Sequence, residues 1–295
     1  IVGPACDRRG VWRGEAPGCS LFVAETEAPA QIDATGLWTR DLVIFADKAP
    51  ALAAAASAAR PLIGVDTLVV PMLNGVPWWF LSDRDESLES VDPDGAIATA
   101  LPLAQVIGCV VHASCATAAP GVIQHIAGNG LIFGEPGGGE SQRLKLLVDL
   151  FAGAGFAATA SPRIQKDIWY KLWGNMTMNP ISALTAATCD RILDDDLVEA
   201  FILRVMTEAQ EIGARIGCPI KESGRDRIAV TRRLGAFKTS MLQDVEAGRA
   251  IELDALLGAP REIGRIVGVK TPDMDTLFGL VRLFAQRRGL YPQDA

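Results

Sequence analysis

The chain has 295 residues, enough for about two domains of ordinary size. Apolar residues make up 49% and charged residues 21%, a balance that excludes a disordered or fibrous chain. The formal charge is −7 with no cluster of like charges, which excludes nucleic acid and an anionic membrane surface as partners. Mean hydropathy is +0.22, yet no apolar run reaches the roughly 18 residues that a membrane-spanning helix needs.

Six cysteines, at positions 6, 19, 109, 115, 189 and 218, form no C-x-x-C pair, and His112 and His125 are the only histidines. No metal centre or disulfide framework is expected, and the expected compartment is a reducing cytoplasm.

In chain order, Ile1-Val2-Gly3 fits the end of a strand, and the pattern becomes regular at Asp41-Leu-Val-Ile-Phe-Ala46, a short apolar run suited to a strand buried on both faces. An Ala-rich helix is expected over 50–60, then a second strand at Thr67-Leu-Val-Val-Pro-Met72, closed by the turn signal Asn74-Gly75. Together these make one βαβ unit. Trp78-Trp79-Phe80 reads as core, with an interface between copies, and so a homodimer, left open. Further strands are expected at 106–113, 121–126 and 131–134, before Pro136-Gly-Gly-Gly139 breaks the chain ahead of a helix over 140–152. Beyond residue 162 the period is helical, over 163–178, 194–216, 241–246, 252–267 and 273–287. The first half is α/β and the second half is all-α, with the domain boundary near Ala160.

In the first long helix, at about 100° per residue, Lys171, Asn175 and Ser182 fall within about 40° of one another and Asn179 lies about 80° from Lys171. This is a narrow polar stripe on a helix otherwise dense in bulky apolar residues. Each unmet buried polar group would cost about 1–3 kcal/mol. Either a ligand or a second polar element faces the stripe, or Lys171 reaches solvent and the asparagines bond backbone freed by Pro180. Further on, Ser240 with Gln243 forms a capping-box pattern that would account for Ser240. Glu252 and Asp254 fall in the first turn of the next helix, where carboxylates are favoured in any case.

The segments Asp41-Leu-Val-Ile-Phe-Ala-Asp-Lys-Ala49, Leu73-Asn-Gly-Val76, Lys171-Leu-Trp-Gly-Asn175, Asn179-Pro180 and Ser240-Met-Leu-Gln-Asp244 with Glu252 resemble, in order, those of the ketopantoate reductase (2-dehydropantoate 2-reductase) family. These are NADPH-dependent enzymes of pantothenate biosynthesis. The resemblance implies a Rossmann-like NADP-binding domain (1–160), a helical substrate domain (161–295) and an active site in the cleft between them. It implies Lys171 as general acid toward a 2-oxo acid, Asn175, Asn179 and Ser240 as substrate-binding residues, and Glu252 as the group that holds the substrate hydroxyl. Asn74 and Lys48 would lie near the nicotinamide and the substrate.

Two departures stand out. Family members follow their first strand with G-x-G-x-x-G, whereas here Gly3 is followed by Pro4-Ala-Cys-Asp-Arg-Arg-Gly10, so Gly3 alone carries over to the pyrophosphate site. Arg8, Arg9 and Arg13 are either phosphate contacts or solvated surface. Cys189 stands where the family often has another substrate-binding Asn. Two alternatives follow: a non-catalytic member that does not hold the dinucleotide, and a reductase of another branched 2-oxo acid.

Overall fold

A computed structural model describes residues 39–119 and 122–293. The chain divides into two compact units. The first takes the chain to Leu73, then Trp78–Ser87 and Asp94–Asp167, and the second takes Asn74–Pro77, Leu88–Pro93 and the chain from Ile168.

In the first unit, β1 (Leu42–Phe45) and β2 (Leu68–Pro71) are parallel, in the register Val43 opposite Val69. They are joined through α1 (Leu52–Ala59), which turns Leu52, Ala56 and Ala59 inward at helical spacing. This is the expected βαβ unit, and Val43, Phe45, Val69 and Val70 are buried in it. After the short helix α2 (Ala96–Ala100), a parallel bridge from Val69 to Val106 carries the chain into β3 (Gly108–Ala119). That strand pairs antiparallel with β4 (Val122–Gly134), and β5 (Ala157–Ala160) adds to β4 in parallel. Between β4 and β5, α3 (Gln142–Gly153) is capped by Ser141, whose hydroxyl accepts from Leu144 N–H. It packs Leu144, Leu147 and Phe151 against Val70, Ile107, Cys109, Leu131 and Phe133. Trp78, Trp79 and Phe80 are buried within the chain.

The strands expected at 121–126 and 131–134 are one strand. The intervening Gly128-Asn129-Gly130, residues of a type common in turns, is absorbed as a bulge opposite His112 to Ser114, with Gly128 at φ +71. The partner strand accordingly runs to Ala119, beyond the expected 113.

The second unit contains most of α4 (Ile164–Thr185), which continues through Pro180. Trp169 and Trp173 are fully buried there, and their indole N–H groups donate to the carbonyls of Ala209 (3.2 Å) and Met206 (2.9 Å). Those carbonyls belong to α6 (Asp196–Arg215), whose cap, Asp195, accepts from Leu197 and Val198 N–H. The short helices α5 (Cys189–Leu193) and α7 (Gly224–Arg232) flank it, neither expected from the sequence; α7 buries only Ile228. Then come α8 (Ser240–Glu246), a π-wound turn (Asp254–Gly258), α9 (Ala259–Ile266) and α10 (Pro272–Arg287). The first N–H groups of α10 are met by the Glu208 carboxylate, which accepts from Asp273 and Met274 at 2.9 and 3.0 Å.

Candidate active site

The polar stripe of α4 is met by other parts of the second unit. Lys171 Nζ donates to Asn74 Oδ1 at 2.8 Å, and both residues are half-buried. Further along, the buried Asn179 donates through Nδ2 to Ser240 Oγ at 3.5 Å. Asn175 stands half-buried between them in sequence, on the same helix. Ser182, fully buried, donates to the Ala187 carbonyl at 2.8 Å and thus serves the end of the helix itself. Of the two readings of the stripe, the second polar element is the one present: an asparagine 97 positions away holds the lysine.

Ser240 is not the helix cap. Thr239, extended at φ −66 and ψ 158, caps α8 by accepting from Leu242 N–H at 3.2 Å. The cap is one residue earlier than expected because two hydroxyl residues stand side by side and only Thr239 has the extended backbone of an N-cap. Ser240 is exposed, and its hydroxyl faces Asn179.

Glu252 is 6% exposed. Its carbonyl accepts from Leu256 N–H at 3.2 Å, which fixes its backbone at the head of the π-wound turn. Between Ser240 and Glu252, an ion pair of the buried Asp244 with the half-buried Arg249 closes the connecting segment: Arg249 Nε donates to Asp244 Oδ1 at 3.1 Å, and Arg249 N–H donates to the Asp244 carbonyl at 2.9 Å. Sequence reading did not single out this pair; the available signal was an aspartate among the apolar residues of α8, five positions before an arginine. Cys189 is buried at the start of α5, its N–H donating to the Phe237 carbonyl. Burial foremost, with the field of Asp190, pushes its thiol up to about 11, so it is neutral at physiological pH.

Lys48 lies in the first unit, half-buried at the head of a 3₁₀ turn (Ala49–Ala51) just after β1. Gly3 and the three arginines at 8, 9 and 13 lie outside the described residues. The segments leading to Lys48 and to Asn74 leave the carboxyl ends of β1 and β2. That edge of a parallel pair is where α/β sheets hold their ligands.

Two family descriptions match the chain: Ketopantoate reductase PanE/ApbA over residues 20–138 and Ketopantoate reductase PanE/ApbA C terminal over 163–285. A 2-dehydropantoate 2-reductase of Mesorhizobium japonicum is 42% identical, over 94% of this chain and 88% of its own. A Ralstonia solanacearum protein assigned as a ketopantoate reductase has a solved structure that superposes with a TM-score of 0.85 at 59% identity, over 88% of this chain and 81% of its own. A D-mandelate dehydrogenase solved with NADH and anilino(oxo)acetate shares the fold, with a TM-score of 0.75 at 21% identity, over 89% of this chain and 80% of its own. The class is that of NAD(P)-dependent oxidoreductases with a Rossmann-like sheet domain followed by a helical domain. Within that class, the chain belongs to the ketopantoate reductase family.

Proposed function

We propose that this chain reduces ketopantoate to pantoate, with NADPH as reductant and Lys171 as the proton donor. The observation that carries the reading is the Lys171–Asn74 hydrogen bond, which fixes an ammonium group on the polar stripe of α4. Residues 1–160 are assigned to the dinucleotide and 161–295 to the substrate and catalysis. Bound NADPH would supply the hydride. Reduction of a ketone places negative charge on its oxygen in the transition state, and the Lys171 ammonium, held by Asn74, stabilises that charge and delivers the proton. An ammonium has three donors, and the Asn74 amide oxygen takes one of them. Asn175, Asn179 and Ser240 supply neutral donors for the substrate's oxygen atoms. Glu252, buried with its backbone fixed, accepts from the substrate hydroxyl. Lys48 and Asn74 are assigned to the nicotinamide end of the cofactor, and Gly3 to its pyrophosphate end. The free thiols of Cys109, Cys115, Cys189 and Cys218 support a cytoplasmic setting.

Cys189 favours one further reading, a different branched 2-oxo acid as the preferred substrate. A neutral, buried thiol is a poorer hydrogen-bonding partner than an amide. The test is NADPH consumption by the purified protein across a panel of branched 2-oxo acids. Ketopantoate with the highest kcat/KM supports the proposal. Another acid in that place keeps the chemistry and changes the substrate, and consumption with none of them overturns the function.

A further inference from the structure

The loop that carries Asn74 is tied down by a backbone contact that two particular residues make available. The Asp254–Gly258 turn is wound in the π register, with Ala259 N–H donating to the Asp254 carbonyl five residues back. In that register the Ala255 carbonyl falls to the N–H of residue 260. Residue 260 is proline, which has no N–H to give. Ala255 is 2% exposed, so water is a poor substitute, and a buried carbonyl without a donor is costly. Val76 N–H fills the gap at 2.8 Å. The approach depends on Gly75, which sits at φ +82; a Cβ there would stand 2.6 Å from the Ala255 carbonyl carbon. Asn74, the residue before Gly75, accepts from Lys171 Nζ.

We propose that this clip is a positioning device for Lys171. Pro260 and the π turn leave the Ala255 carbonyl open, Val76 closes onto it, and the Asn74–Pro77 loop is thereby fixed with Asn74 against the ammonium. Gly75, Ala255 and Pro260 are positioning residues that act through Asn74. Their consequence for catalysis rests on the reading of Lys171 as proton donor. The same turn starts two residues after Glu252, whose carbonyl it takes up through Leu256 N–H, so one short segment anchors both Glu252 and the partner of Lys171.

The test uses two variants of the full chain. Gly75→Ala drives a methyl into the Ala255 carbonyl, and Pro260→Ala supplies a competing donor to the carbonyls of that turn without adding bulk at the clip. Crystal structures of the variants should show the Lys171–Asn74 contact opened beyond hydrogen-bonding distance, and retention of the contact in both overturns the proposal. In kinetics, Gly75→Ala should lower kcat on the order of 10- to 100-fold, the scale of a small misplacement of a reacting group. It should do little further harm in an Asn74→Ala background, since effects that pass through one residue are not additive. An equal loss in both backgrounds means a general structural defect and overturns the device. Should Gly75→Ala fail to fold, Pro260→Ala carries both measurements. An opened contact with unchanged kcat, together with a fully active Lys171→Ala, defeats the proton-donor reading and leaves the clip standing.

Discussion

Burial pushes the Asp254 carboxyl above the ordinary aspartate range, against the hydrogen bond from Tyr291 and the fields of Arg282 and Arg261, which pull it down. A carboxyl raised in the folded state binds its proton more tightly folded than unfolded. Its stabilising contribution is therefore complete below the unfolded value and is lost as pH rises through the folded one. Asp254→Asn keeps an oxygen for the Tyr291 hydroxyl, which donates at 2.8 Å, and removes the buried charge. Thermal melts should show the variant gaining on the wild type as pH rises from about 4, the unfolded value; a constant difference between the two melting curves contradicts this. At this scale the site was only partly legible. The polar stripe of α4 demanded a partner for Lys171, but the partner sits 97 positions away, a separation that no local pattern encodes. Asn74 entered through resemblance, whereas its hydrogen bond required the fold.

At the scale of elements, α8 separates a capping hydroxyl, Thr239, from the one proposed to bind substrate, Ser240. Thr239 caps the helix, so Thr239→Ala should cost about 1 kcal/mol of stability. Ser240→Ala should leave stability near that of the wild type and raise KM for the 2-oxo acid. Denaturant unfolding and steady-state kinetics on both variants decide the matter, and the reverse pattern would return Ser240 to the capping role. The elements most legible from sequence were those in which apolar spacing and length agree: β1, α1 and β2 as one βαβ unit, and the long helices α4, α6 and α10. The less legible ones have physical reasons. The Gly128-Asn129-Gly130 bulge in β4 carries the residues of a turn, β5 is a four-residue strand of small residues that are largely exposed, and α5 and α7 are too short or too exposed to show a periodic apolar face.

For the whole molecule, the similarity to a 2-dehydropantoate 2-reductase, at 42% identity, spans 94% of the chain, and the family descriptions match both its sheet-forming and its helical parts. No helix among the described residues is long and apolar enough to cross a membrane. The described part of the fold brings Lys171 to Asn74 and Asn179 to Ser240 within one unit, while Lys48 belongs to the other. The chemistry proposed for this arrangement places the proton on one ammonium group and leaves the neighbouring neutral groups to bind. The role of Lys171 is decided by kcat for ketopantoate in Lys171→Ala at saturating NADPH, with cofactor affinity followed in parallel by nicotinamide fluorescence. With Lys171 as proton donor, kcat falls about 10²- to 10⁴-fold, the usual contribution of a positioned general acid, and NADPH binding is retained. A variant that turns over ketopantoate as fast as the wild type would contradict that role.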